Sequence, residues 1–233
     1  MHSIEYIYTW LFREYGPQGW WPLINHNGSN PTKTGIIKGY HPGVYSFPHN
    51  DDERFEICIG AILTQNTTWV NVEKAIENLN KRERVNPVSI ANLDIDILKE
   101  STRPARYFNQ KAQKIKIFTD FYLKLNGKTP KSEELLDIGG IGPETADCML
   151  LYGFNTTSFV VDAYSKRMLI NLGLITESAT YQEVKRLFEE NIPRDLIMYQ
   201  EYHALIVEHA KRYYQKQPYG ENDPLKTLMD SNT

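Results

Sequence analysis

Across 233 residues the chain sets 26 Lys and Arg against 29 Asp and Glu, a net charge of −3, with 41% hydrophobic and 24% charged residues. This balance excludes a protein that coats nucleic acid through bulk charge, and no apolar run approaches the roughly 20 residues of a membrane helix. The length suits one large domain or two small lobes sharing an interface. Met1 to Trp10 carries Glu5 and aromatic residues where an export signal places basic and then purely apolar ones, so the expected location is the cytoplasm. Cys58 and Cys148 are the two cysteines, far apart in apolar surroundings. They read as buried thiols in a reducing compartment and exclude a four-cysteine metal or iron–sulfur site.

In chain order, Ile4, Ile7, Tyr8, Leu11, Phe12 and Tyr15 recur at helical spacing after Ser3, and Gly16-Pro17 ends that helix. Residues 23–50 turn to Asn, Gly, Pro, His and Thr without periodicity, which reads as a surface insertion with at most a short hairpin over 35–46. Phe55 to Leu63, preceded by Asp51 and Asp52, reads as a helix buried on most sides. A helix with Val72, Ala75, Ile76 and Leu79 on one face should follow, then a single span from Pro87 to about Lys99 and one from about Gln110 to Leu125. Later helices are expected over 132–138, 143–152, 162–172 and 181–190, with a final long one through His203 to Tyr214. The fold class is therefore all-α. The tail 218–233 has little apolar content with which to dock.

Charge is concentrated. Lys99 to Lys131 holds nine basic residues against two acids, a local +7 that leaves −10 for the remainder. Directly after it, Ser132 can cap a short helix, Gly139 and Gly140 permit a tight hairpin, and Pro143 suits the first turn of a second helix. Hairpin amides at a helix N-terminus form a cradle for a phosphate oxygen. Beyond the second helix, Phe159-Val-Val-Asp162 places a carboxylate where an apolar run meets a new helix. Asp162 reads as an N-cap. Helix amides that hold a capping carboxylate also favour its charged form, which can stabilise an oxocarbenium ion or orient a water.

With these residues in place, the chain resembles the endonuclease III-like, helix-hairpin-helix (HhH-GPD) base-excision DNA glycosylases. The resemblance runs from about Trp10 to Pro218, outside the insertion. It rests on Gly60-Ala-Ile-Leu-Thr-Gln-Asn-Thr67, Arg103-Pro-Ala-Arg-Tyr-Phe-Asn-Gln-Lys-Ala112, Ile138-Gly-Gly-Ile-Gly142 and Val160-Val-Asp-Ala-Tyr164, in that order. It implies two all-helical lobes with a base pocket in the cleft between them. Residues 1–54 with 163–233 would form one lobe, and 55–162 the other, carrying the motif. It also implies Asp162 as the catalytic residue and Gln65 as the side chain that fills the gap left by a flipped base. Gly140, Ile141, Gly142, Thr145, Arg103 and Lys111 would be DNA contacts. The expected partner is double-stranded DNA with a damaged base, bound by a nucleoid-associated monomer.

Members that also nick the strand carry a Schiff-base lysine at the position of Glu144, and a carboxylate cannot form an imine. No iron–sulfur loop follows the last helix; no cofactor is expected beyond a monovalent cation at the hairpin. Gly16-Pro-Gln-Gly-Trp-Trp-Pro22 narrows the resemblance to the cluster-free 3-methyladenine glycosylases, which implies a base pocket of Trp20, Trp21, Pro22 and Trp69. An indole face attracts a cationic alkylated purine more than a neutral base. The expected function is hydrolytic release of alkylated purines. The rivals are a glycosylase for uracil, mismatched thymine or oxidised bases, and a non-catalytic helix-hairpin-helix module that senses distorted duplex.

Overall fold

The computed structural model describes residues 3–32 and 38–230, and among these there is no strand. The chain opens with α1 (Ser3–Tyr15), which buries Ile4, Ile7, Trp10 and Leu11. The central helix α2 (Asp51–Leu63) is started by Asn50, whose side chain accepts the Glu53 amide, and by three acids in its first turn. Every residue from Phe55 to Leu63 is buried. α3 (Trp69–Arg82) buries Val72, Ala75, Ile76 and Leu79. The span expected as one helix from Pro87 to Lys99 is two, α4 (Pro87–Asn92) and α5 (Ile95–Thr102). Asp94 breaks it by accepting the amides of Asp96 and Ile97 and capping a new helix.

A single 3-10 turn (Arg103–Ala105) leads to α6 (Phe108–Leu125) and α7 (Ser132–Leu136). Helix α8 (Pro143–Cys148) runs on as a π-turn over Met149–Gly153. The chain ends with α9 (Ala163–Asn171), α10 (Tyr181–Asn191), α11 (Leu196–Tyr213) and α12 (Pro224–Asp230). Helices α1, α9 and α10 gather around or beside α11, whereas α2 to α8 pack among themselves; α11 also meets the π-turn across the boundary. The two lobes thus face each other along a cleft. No helix among the described residues is long and apolar enough to cross a membrane.

Two further expectations need correction. The described residues of 23–50 are not simply a surface insertion, since Leu23, Asn30, Tyr40 and His41 are buried. His41 donates its amide to the Gly19 carbonyl at 3.0 Å, and its ring lies 3.0 Å from the Trp21 carbonyl, so the stretch is laced to the segment before it. Part of the suggested hairpin lies outside the described residues, and the rest is irregular. The tail also docks. Asp223 is buried between His209 Nε2, at 3.0 Å, and the Tyr214 hydroxyl, and Leu225 is fully buried. A polar anchor supplies what the tail's sparse apolar content does not.

Glu56 joins α2 to residue 24, accepting the Ile24 amide at 2.7 Å. Burial pushes its carboxyl up to about 7, the amide partly offsets this, and Glu53 adds to it. A carboxyl whose folded pKa exceeds its unfolded value binds its proton more tightly when folded, so its stabilisation is present at pH 4 and lost as pH rises through 7. Glu56→Gln keeps an acceptor for Ile24 without the charge. It is expected to raise the melting temperature at pH 8, by up to about 3 kcal/mol of stability, and to do little at pH 5. Melts at the two pH values check this, and an equal effect at both would refute it.

Candidate active site

Asp162 caps α9 at the end of the buried run Ser158–Val161. Its Oδ1 accepts the Ser165 amide at 2.7 Å and the Ser165 hydroxyl at 2.8 Å. These two donors fix the carboxylate and leave Oδ2 turned toward His203 Nε2, 3.9 Å away. The run is held from behind by Asp147 of α8, which accepts the Ser158 hydroxyl, Lys185 Nζ and the Tyr181 hydroxyl at 2.6 to 2.7 Å.

Beside Asp162 lies a cavity of about 340 Å³, within the range of small-ligand pockets. It is lined by all four expected aromatic-pocket residues, Trp20, Trp21, Pro22 and Trp69, together with Tyr40, Glu144, Cys148 and His203. The rings meet at steep angles: Trp21 on Trp69 at 81° and 5.4 Å, Trp20 on Trp21 at 79°, and Trp20 on His203 at 88°. Trp21 is 4% exposed and packs on α2, where a Cβ at Gly60 would stand 3.0 Å from its indole nitrogen. Gly60 is thus what lets that ring lie against the helix backbone. Trp20 and Trp69 are only half-buried and are the rings open to a ligand. Glu201 of α11 holds the segment leading into Trp20 and Trp21 by accepting the Gln18 amide at 2.7 Å.

Glu144 lines the cavity mouth, where partial desolvation and then the Asp162 charge push its carboxyl above its usual range. Lys211 also lines the cavity; burial lowers its pKa, and Glu208 stands 3.6 Å from its ammonium.

The hairpin forms as expected, with Gly140 at φ 89° and Pro143 opening α8. Gln65 is folded against it. Its amide nitrogen donates to the Gly140 carbonyl and to Thr145 Oγ1, both at 3.0 Å, and its oxygen accepts Lys114 Nζ at 2.7 Å. A Cβ at Gly140 would strike the Lys114 stem at 2.2 Å. Three expected DNA contacts have other work. Ile141 gives its amide to Ile138 and buries its side chain, and Thr145 is buried as a partner of Gln65. Lys111 is 2% exposed and donates to the carbonyls of Leu63 and Ala105 at 2.8 and 2.6 Å, tying helix ends together; burial and Lys114 lower its pKa to about 8.

The +7 stretch is thinned in the same way. Lys116 is spent on carbonyls at the end of α4, and Lys99 pairs with Asp96. Arg103, Arg106, Lys124, Lys128 and Lys131 remain exposed. Tyr40, Lys114 and His203 are functional candidates that sequence reasoning missed. A signal existed for the last: His203, Val207, Lys211 and Gln215 follow one another at intervals of four, and all four line the cavity.

Two helical lobes that meet at a carboxylate-bearing cleft beside a helix-hairpin-helix turn define a class of DNA-repair fold. Residues 59–194 match the model of the HhH-GPD superfamily base excision DNA repair proteins, and the chain belongs to that superfamily. A Methanocaldococcus jannaschii protein, provisionally named a DNA repair glycosylase, is 42% identical over 231 residues, covering 94% of this chain and 92% of its own. Endonuclease III of Thermotoga maritima is 31% identical over 157 residues, 66% of this chain and 73% of the relative. Among solved structures, the 3-methyladenine DNA glycosylase MagIII of H. pylori, bound to 1,N6-ethenoadenine, superposes with a TM-score of 0.67 at 27% identity, over 91% of this chain and 98% of MagIII.

Proposed function

We propose that this base-excision glycosylase releases alkylated purines, 3-methyladenine first, by hydrolysis and without cutting the strand. The observation that carries the reading is one cavity in which the half-buried Trp20 and Trp69 stand with the carboxyl groups of Asp162 and Glu144. Indole faces and carboxylates both favour a cation. An alkylated purine is positively charged before its bond breaks and leaves as a neutral base, so it needs little acid catalysis. Asp162, fixed by Ser165, would stabilise the sugar cation as the base departs. The similarity to MagIII, a 3-methyladenine glycosylase, supports the same reading.

Duplex DNA would lie along the hairpin and the exposed basic residues of the 99–131 stretch, among them Arg103, whose guanidinium lies over the ring of Phe108 at the start of α6. To fill the gap behind a flipped base, Gln65 would exchange its bonds to Gly140 and Thr145 for contacts in the duplex. A monovalent cation would be held at the hairpin by backbone carbonyls; the Gly140 oxygen accepts Gln65 and keeps a second lone pair for such an ion. It would help neutralise a bound phosphate. Glu144 offers no amine for an imine, so the sugar would be left intact after hydrolysis.

The test measures base release from duplexes carrying 3-methyladenine and, separately, a neutral lesion, in the wild type and in Trp20→Leu and Trp69→Leu. Leucine keeps apolar bulk but loses a cation–π contribution of roughly 0.5–2 kcal/mol, so release of the cationic base should fall by up to about 30-fold more than release of the neutral one. An unchanged ratio in a stably folded variant would favour uracil, mismatched or oxidised bases. In the same assay borohydride should trap no protein–DNA adduct, and a trapped adduct would refute the strictly hydrolytic reading.

A further inference from the structure

His203 belongs to none of the motifs, yet it is 3% exposed and lines the cavity beside Asp162. Its protonation follows from counting protons. The Tyr152 hydroxyl donates its single proton to the Gln200 carbonyl at 2.9 Å, and His203 Nδ1 lies 2.8 Å from the same hydroxyl oxygen. That oxygen has no second proton to give, so Nδ1 must be the donor. Neutral His203 then presents Nε2 as a bare acceptor. Burial holds the imidazole below its usual range in spite of Asp162, which keeps it neutral. Trp20, edge-on at 5.6 Å, restrains the ring.

Across from Nε2 stands Asp162 Oδ2, the oxygen that Ser165 leaves available. Two acceptors 3.9 Å apart cannot bond to each other, but a single water about 2.8 Å from each can donate one hydrogen to either. Such a water has both protons engaged and its lone pairs turned away from the two acceptors. That is the orientation of a nucleophile.

Building on the glycosylase reading above, we propose that His203 is a water-positioning residue, holding the attacking water jointly with Asp162. The water oxygen bonds to the sugar C1′ while the C1′–N bond breaks and its electron pair leaves with the base. One proton passes to Asp162 Oδ2, and the other stays on the new hydroxyl, bonded to His203 Nε2. A cationic base leaves neutral, so the charge balances.

The experiment compares single-turnover release of 3-methyladenine from a duplex by the wild type, His203→Leu, His203→Gln and Tyr152→Phe, with duplex affinity and melting temperature measured alongside. His203→Leu should slow release by about 100-fold at unchanged duplex affinity. His203→Gln, whose side-chain oxygen can accept, should recover most of that loss. Tyr152→Phe keeps the ring but removes the group that fixes the tautomer, and should slow release a few fold. Added methanol supplies a readout that a purely structural role would not move. Methanol has one proton to donate, so the wild-type pair of acceptors should favour water, and His203→Leu should yield a larger share of methyl glycoside. Release by His203→Leu at the wild-type rate, a glutamine variant as slow as the leucine one, or an unchanged methanol share would each overturn the proposal. If His203→Leu fails to fold, the glutamine and Tyr152→Phe variants decide it. A wild type that releases no modified base would instead overturn the glycosylase reading itself, and this inference with it.

Discussion

Asp162→Asn is expected to cut base release by on the order of 10³-fold while leaving duplex affinity within a few fold of the wild type. The separation rests on the two oxygens of the side chain. Oδ1 accepts the amide and hydroxyl of Ser165, a role an asparagine oxygen fills with little loss because both residues are good N-caps. Oδ2 faces His203 and the cavity, and there the variant places an uncharged amide that neither stabilises a sugar cation nor accepts a proton from water. Removing a negative charge from a surface that meets phosphate cannot weaken DNA binding electrostatically. Single-turnover release and duplex affinity, measured on a variant whose melting temperature matches the wild type, give the answer. Retained turnover would remove Asp162 from the chemistry.

What was legible in the sequence was what local physics dictates. Gly139 to Pro143 reads as a hairpin because glycine and proline restrict or permit particular backbone angles, and Asp162 reads as a cap because an apolar run meets a helix there. The cavity tryptophans were reachable only through the family resemblance, since adjacent Trp20 and Trp21 are equally good core residues. Trp21 is in fact largely core, packed on Gly60, while its neighbour is open to the cavity. What failed was long-range. Lys111 and Lys116 look like solvated charges until the neighbouring helix ends are seen to lack donors for their carbonyls. Tyr40 comes from a stretch with no periodicity, and its burial depends on the bonds from His41 to Gly19 and Trp21. His203 sits in a helix that is buried nearly all round, and its four-residue register with Val207, Lys211 and Gln215 points to the cavity only once the facing lobe is in place.

Asp147→Ala should cost the fold about 3–5 kcal/mol, the usual penalty for leaving a buried charge without its partner. Asp147 is 2% exposed and receives three donors from two other parts of the chain: Ser158 on the approach to Asp162, and Tyr181 and Lys185 on α10. The alanine leaves the Lys185 ammonium, itself mostly covered, with a serine hydroxyl at 2.7 Å and the Glu189 carboxylate at 4.0 Å. The Tyr181 hydroxyl loses its acceptor, and with it the firm placement of the oxygen that lies 3.4 Å from the Val161 amide. The damage therefore falls on the segment that delivers Asp162. Base release should drop further than the folded fraction accounts for. Lys185→Met alone removes the cation and leaves Asp147 with two hydroxyl donors, a milder loss. The double variant Asp147→Ala with Lys185→Met should be more stable than Asp147→Ala by at least about 1 kcal/mol, because the orphaned charge is gone. Denaturant titrations of the four proteins close this cycle. A single-variant loss under about 1 kcal/mol would mean that solvent screens the pair, and that the backbone before Asp162 is held by its apolar packing instead.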